Sequence, residues 1–299
     1  MAAKTNVTTS AQFTTSAREV DFVSRFADNW DALRNIMGIM RPIRKAPGTK
    51  LVSYKARVDG GLKGGTVAEG DEIPFTKMKV EPVAYGDIDI SKYAKSVTIE
   101  SVAKYGADVA VEKTDEAFLV ALQNKVLTDF YTSLGTGTLK VTEKTWQRAL
   151  AMAKGKVLDK FAGLDKDVTE VVGFANIIDA YDYLGDKEIT VQTMFGINYV
   201  ENFMGYRTLF LLPEKYIASK KVIALPVENI DLYYVDPSDS DFAKLGLNYT
   251  VKGETNLIGV HVDGDYSRAT GDMYAIMGMK LWAEYLDGIA VATVTPATA

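Results

Sequence analysis

From Leu51 to Val58, the apolar residues Val52, Tyr54, Ala56 and Val58 alternate with Ser53, Lys55 and Arg57. From Phe75 to Val83, Met78 and Val80 alternate with Lys77, Lys79 and Glu81. A period of two marks a strand with one apolar face. Between the two runs lie Gly60-Gly61-Leu62-Lys63-Gly64-Gly65 and the acidic turn Glu69-Gly70-Asp71-Glu72-Ile73-Pro74, so the segment predicts a long β-hairpin. A two-stranded hairpin is marginal by itself in water, and its apolar side needs another surface. Flanked by Pro47 and Pro82, the extension is expected to pack on a neighbouring subunit. Val52, Tyr54, Val58, Met78 and Val80 are therefore placed at an inter-subunit contact.

Helical spacing dominates on either side. Residues 1–15 read as a flexible polar arm. Ser16 and Glu19 form a capping box, in which each side chain satisfies an orphan donor of the first turn. Phe22, Phe26, Trp30, Leu33, Met37 and Met40 follow at steps of four and three, and Pro42 is expected to end this amphipathic helix. Such a helix can pack in the chain's own core or clamp a neighbour. Core packing is the default reading, and the adjacent hairpin strengthens the case for the clamp, which would place Phe22, Phe26 and Trp30 at the inter-subunit contact as well.

After the hairpin, Asp87–Ser91 alternates again, with Val97–Ile99 as a continuation. From Ala110 to Leu134, Val111, Phe118, Leu122, Val126, Phe130 and Leu134 share one helical face, with Gly135 as a stop. At 1.5 Å per residue this spine is about 37 Å long. Beyond it the pattern is mixed. A helix is predicted over Glu143–Val157, with Gly155 weakening its end, and a second one capped by Asn176 runs through Leu184. Strands are predicted at Val168–Phe174, Thr208–Leu212, Val222–Leu225, Leu232–Val235, Leu257–Val262 and Ile289–Val294. The continuous apolar runs among them fit strands buried on both faces. Ala269–Leu286 fits either a helix or an extended segment. No repeat of 20–50 residues is present. The fold class expected is α+β rather than a doubly wound sheet.

Composition adds mainly exclusions. The 299 residues, 47% hydrophobic and 24% charged, suit one large or two modest domains. A net charge of −5 argues against a dedicated nucleic-acid binder. The absence of cysteine excludes disulfides and thiolate metal sites, and fits an intracellular assembly site. Met1–Phe13 lacks the apolar run of a signal peptide, and no stretch approaches a membrane span.

Catalytic signatures are missing. His261 is the only histidine, set between Val260 and Val262, and reads as structural. No G-x-S-x-G elbow accompanies it. Asp236, Asp239 and Asp241 lack the central glycine and terminal glutamate of a calcium loop and read as a solvated turn. The glycines at 60–65 are not followed by the Lys-Ser/Thr pair of a phosphate loop. Glu69, Asp71 and Glu72 read as a charged tip that keeps the hairpin soluble. No catalytic residue, metal or cofactor is expected.

An arm with a helix over Ser16–Met40, a hairpin near 46–84 and a spine near 110–134 occur in that order. With the closing motif Ala283-Glu284-Tyr285-Leu286-Asp287-Gly288-Ile289-Ala290-Val291, they resemble the tailed-bacteriophage major capsid proteins of the Hong Kong 97-type fold. Glu69–Pro74 and Asp21–Phe26 also resemble segments of Gram-positive siphophage coat proteins. The resemblance implies five parts: an N-terminal arm (1–45), an extended loop (46–84), a peripheral domain with the spine helix (85–142), an axial domain (143–255), and a return to the peripheral domain with closing strands (256–299). It implies pentamers and hexamers forming an icosahedral shell around double-stranded DNA, held without sequence-specific binding, within a virion assembled in the host cytoplasm. The partners implied are a portal protein, optional decoration proteins and a separate scaffolding protein, since only about 45 residues precede the loop and no long heptad run appears. Lys63 lies at the loop tip, where some relatives crosslink, but no motif identifies a partner for it. An encapsulin-like compartment shell shares the fold and is the alternative. A phage tail or adhesin-type binding protein is the alternative from another class.

Overall fold

The computed structural model describes residues 17–37, 41–164, 166–185, 191–194, 197–252, 256–283 and 285–295. Ser16, Met40 and the polar arm of residues 1–15 lie outside them. Helix α1 (Ala17–Met37) is followed by β1 (Arg41–Lys45), the hairpin strands β2 (Leu51–Asp59) and β3 (Lys77–Gly86), and β4 (Ile90–Thr98). The end of the helix before Pro42 lies outside the described residues. Pro42 itself sits in β1, an edge strand, where a missing N–H is tolerated. Thr98 caps the short helix α2 (Ile99–Tyr105) by accepting from the Ser101 N–H. Ile99 therefore begins a helix rather than continuing a strand.

A π turn over Asp108–Glu112 leads into the spine helix α3 (Lys113–Gly135), about 35 Å long. Leu122, Val126, Phe130 and Leu134 are buried along its face as their spacing predicts, Val111 and Phe118 are only partly buried, and Leu119 joins the buried face. The chain continues through β5 (Leu139–Glu143), α4 (Trp146–Ala162), β6 (Val171–Asn176), α5 (Ile177–Leu184), β7 (Gln192–Met194), β8 (Ile197–Glu201), β9 (Thr208–Leu212), β10 (Lys221–Pro226) and β11 (Ile230–Val235). It closes with α6 (Ser240–Ala243), β12 (Ile258–Asp265), β13 (Thr270–Ala283) and β14 (Ala290–Val294). Asn176 caps α5 as expected, accepting from the Ile178 N–H at 2.9 Å. Helix α4 starts later than predicted, because Glu143 belongs to β5, and it continues through Gly155.

Among the described residues there are two large sheets and the separate two-stranded hairpin. The seven-stranded sheet has the order β5-β14-β10-β6-β9-β8-β7. Its alternation divides two cores. Val172, Phe174, Phe210, Leu212, Ile223 and Leu225 join the spine's core, whereas Val171, Ala175, Leu209, Leu211, Val222 and Ala224 face the core containing α4. Gly173 sits on the α4 side. A Cβ there would lie 2.8 Å from Leu209 Cδ1 and 3.0 Å from the Tyr206 ring, so only glycine fits without repacking.

In the other sheet β13 is the organiser. Its first half pairs with β12 and β4, and its last residues pair with β11, which carries β1 on its far side. Helix α1 packs across β12 and against α3. The segment 143–255 thus sends β11 to this sheet, and the segment 256–299 sends β14 to the seven-stranded one.

Candidate assembly surface

The hairpin register sorts its two faces. Tyr54 pairs with Pro82, Ala56 with Val80 and Val58 with Met78, so apolar residues stand opposite apolar residues. Arg57 pairs with Lys79 and Asp59 with Lys77 on the intervening positions. Directly opposite residues share a face, so one face is apolar and the other charged. The charged face is organised by Arg57–Glu81 at 3.1 Å, Lys79–Glu81 at 2.7 Å and Lys77–Asp59 at 3.1 Å. These contacts lower the Glu81 pKa, first through the Lys79 hydrogen bond and then through the Arg57 charge.

Nothing among the described residues covers the apolar face. Tyr54 is 71% exposed and Met78 62% exposed, with Val52, Val58 and Val80 also exposed. Large exposed apolar patches on proteins are commonly protein–protein, membrane or ligand contact surfaces. Each such side chain, once buried, contributes roughly 1.5–3 kcal/mol.

The tip extends the surface with three residues that the sequence reading passed over. The Lys63 N–H donates to Thr76 Oγ1 at 3.0 Å, and the Thr76 hydroxyl donates to the Lys63 carbonyl at 3.2 Å, which closes the neck of the loop. Leu62 and Phe75, the residues beside that clamp, are 86% and 90% exposed, and Ile73 is also exposed. Their signal in the sequence was isolation, as large apolar residues in a glycine-rich, acidic loop where no turn chemistry requires them.

At the base, Gly48 and Gly86 both have left-handed φ, +76° and +80°. Leu51 is buried there, and the Lys280 ammonium donates to the Asp87 carbonyl at 2.9 Å. Among the described residues the hairpin is thus anchored at its base, to β13.

The expected contact role of Phe22, Phe26 and Trp30 is corrected. All three are buried in the chain's own core, Phe22 at 1% exposure, among α3 and β12 residues. Phe22 packs on Phe118 with ring centroids 5.9 Å apart. Helix periodicity identified the buried face but not the surface that buries it. Polar contacts secure the same docking. The Glu19 carboxylate, itself buried, accepts from the Val262 N–H at 2.5 Å and from Thr250 Oγ1 at 2.7 Å.

The acidic positions show no reactive arrangement. Asp236 Oδ1 accepts from the Ser238 N–H and hydroxyl, while Oδ2 accepts from Asn256 Nδ2 at 2.9 Å and faces Arg44. Burial alone would raise its pKa, but these donors outweigh it and the net shift is downward. Asp239 caps α6 through the Asp241 N–H. The Asp236 and Asp239 carboxylates therefore organise a turn, while that of Asp241 pairs with Lys244. Among the described residues no group of three or more His, Asp or Glu is arranged to hold a metal ion. His261 lies in β12, half exposed, with Nδ1 3.6 Å from Glu19 Oε1. Among the described residues no helix is long and apolar enough to cross a membrane.

A hairpin anchored at its base, a spine helix and two sheets linked by β11 and β14 form an architecture also seen in solved structures. The mature capsid of bacteriophage PhiM1 superposes with a TM-score of 0.58 at 7% identity, over 87% of each chain. The chain has the Hong Kong 97-type capsid fold. The structure from Mycobacterium phage Patience shares this fold at a TM-score of 0.54 and 12% identity, covering 97% of this chain and 91% of that one. A virus-like particle from Pyrococcus furiosus gives 0.50 at 14% identity, over 93% of this chain and all of the other. No protein-family model matches the sequence, and no curated protein matches it either. At such identities the Hong Kong 97-type fold is shared through architecture, with little retained sequence.

Proposed function

We propose that this chain is a major capsid protein of a tailed bacteriophage, assembling as pentamers and hexamers into an icosahedral shell around double-stranded DNA. The observation that carries the reading is the apolar hairpin face, left bare by the described residues of a chain whose fold is that of capsid proteins. Capping that face with the next copy makes a heterologous contact, which closes into rings when the rotation permits. The five-stranded sheet with α3 serves as the peripheral domain and the seven-stranded sheet as the axial domain around the ring centre. A net charge of −5 suits a container, since tight attraction between wall and DNA would hinder packing and release.

The role is structural rather than enzymatic. Its partners are further copies of itself, with a separate scaffolding protein, a portal and optional decoration proteins, in a virion assembled in the host cytoplasm. Negative-stain microscopy and nucleic-acid analysis of particles made with and without the neighbouring genes test the proposal. Closed shells that take up DNA support it. Closed shells filled with protein and free of DNA would reassign the chain to encapsulin-like compartments, and tubes or trimers would reassign it to a tail or adhesin.

A further inference from the structure

Strand β12 is the edge of its sheet, with β13 on its inner side. Its outer side is used at alternate residues. Val260 exchanges two backbone hydrogen bonds with Thr250, at 2.8 and 3.0 Å, and the Val262 N–H donates to the Glu19 carboxylate. Backbone groups of an antiparallel strand point to alternate sides, so Gly264 is the next residue on this outer edge. Its N–H donates to Oδ1 of the preceding residue, Asp263, at 2.8 Å, and Asp263 is exposed.

We propose that Asp263-Gly264 is a site of spontaneous isomerisation promoted by this folded contact, at which the Gly264 nitrogen closes on the Asp263 carboxyl carbon and the main chain becomes isoaspartyl. In the first step the bond from nitrogen to Cγ forms and the nitrogen gives up its proton. One carboxyl oxygen leaves as water, carrying that proton and one from solvent. The five-membered imide then takes up water. Opening at the original main-chain carbonyl breaks its bond to the Gly264 nitrogen, and the chain then runs through Cβ and Cγ, one methylene longer. Water is the only co-reactant.

Three observations carry the assignment. First, one bond separates Oδ1 from the carboxyl carbon, so the hydrogen bond holds the nitrogen beside the atom it attacks. On the outer edge that nitrogen is not committed to the β13 ladder. Second, glycine brings no Cβ to crowd the ring as it closes. Third, Asp263 stands directly opposite Asp272 of β13. Opposed like charges destabilise a sheet, and ring closure removes one of them.

The sequence supplies its own comparison, with two further Asp-Gly pairs at 59–60 and 287–288. Asp59 is held by Lys77 at 3.1 Å. Asp287 is held by Lys160 at 2.7 Å, and the Gly288 N–H donates to the Tyr285 carbonyl at 2.9 Å. In the isomerised chain, the extra methylene moves Gly264 and Asp265 out of register with Gly271 and Thr270, so the end of β12 separates from β13.

Trypsin places the three pairs in separate peptides, residues 58–63, 253–268 and 281–299. The native chain is held at neutral pH for several weeks, in parallel with a sample unfolded in urea. Both are digested and read by isoaspartyl methyltransferase labelling and electron-transfer fragmentation. In the native sample the label at Asp263 is expected to exceed that at Asp59 and Asp287 at least threefold, and in urea the three should converge. Gly264→Ala adds a Cβ that meets only the Thr270 carbonyl oxygen, at 4.0 Å. That variant is expected to keep the parent's circular dichroism and to lose most of the native label. Label at Asp263 no higher than at the other two pairs, or a Gly264→Ala chain labelled like the parent, overturns the proposal. A lead that persists in urea overturns it too, since local sequence rather than the folded contact then sets the rate.

Discussion

Arg18 of α1 grips Asp115 of α3 with two hydrogen bonds, from Nε to Oδ2 at 2.5 Å and from Nη2 to Oδ1 at 2.7 Å. Lys95 of β4 joins the same carboxylate, and its ammonium also donates to the Val111 carbonyl at the end of the π turn. One buried aspartate therefore ties the first helix, the sheet and the start of the spine together. Burial alone would raise the Asp115 pKa, but hydrogen bonds and charge from Arg18 and Lys95 outweigh it and hold it below the usual value. At Lys95 burial wins, aided by repulsion from Arg18, and its pKa is lowered despite the attraction of Asp115.

The sign of the pH dependence follows. An aspartate whose pKa is lower in the folded state stabilises fully above its unfolded value of about 3.9, and that contribution is lost as pH falls through the folded pKa. Lys95, also lowered, adds stability only as pH rises toward its unfolded value of about 10.4. Urea denaturation from pH 7 down to pH 2 should show an acid limb that Asp115→Asn flattens. An unchanged limb in the variant would mean that other carboxylates set it. At neutral pH Asp115→Ala leaves two cations without their partner and should cost about 3 kcal/mol.

Glu19 and His261 are neighbours with unequal roles. Removing the carboxylate in Glu19→Ala leaves the Val262 N–H without its acceptor, at a cost of about 1–3 kcal/mol. His261→Ala, at a half-exposed position, should change stability by about 0.5 kcal/mol or less. Assembled particles should also survive both His261→Ala and exhaustive chelation. Shell loss on chelation alone, read by light scattering, would make the Asp236–Asp241 turn an ion site.

Phe26 tests where α1 belongs. Phe26→Ala should destabilise the isolated subunit by about 3–5 kcal/mol, since it empties a fully buried position. Thermal unfolding of the unassembled chain measures it. A subunit of unchanged stability that fails only in assembly would restore the helix to the inter-subunit contact.

These contrasts locate what the sequence could convey. The hairpin was legible because period two and a glycine-rich turn are local, and because no other segment was obviously free to cover it. The spine was legible from one long apolar stripe. Strand β13 was not, because Ala275-Ile276-Met277-Gly278-Met279-Lys280-Leu281 is rich in residues that suit helices, and only the pairing with β4, β11 and β12 makes it extended. Strand β5 is five residues with Lys140 and Thr142 facing out, too short to show a pattern before β14 pairs with it. Phe22, Phe26 and Trp30 defined a face without naming its partner. Phe75 and Leu62 stood outside any periodic element, so their exposure emerged only from the loop's closure at Thr76.

Met78→Asp separates folding from assembly. A carboxylate on the apolar hairpin face stays solvated in the free subunit but would be buried without a partner in the assembled contact. Particle counts by negative-stain microscopy, with circular dichroism of the same preparations, compare the variant with the parent chain under scaffold co-expression. Closed shells are expected from the parent, and from Met78→Asp a soluble, natively folded subunit with few or none. Parent chains that remain monomeric under every assembly condition, or a Met78→Asp variant that assembles as well as the parent, would contradict the assembly role of the hairpin face.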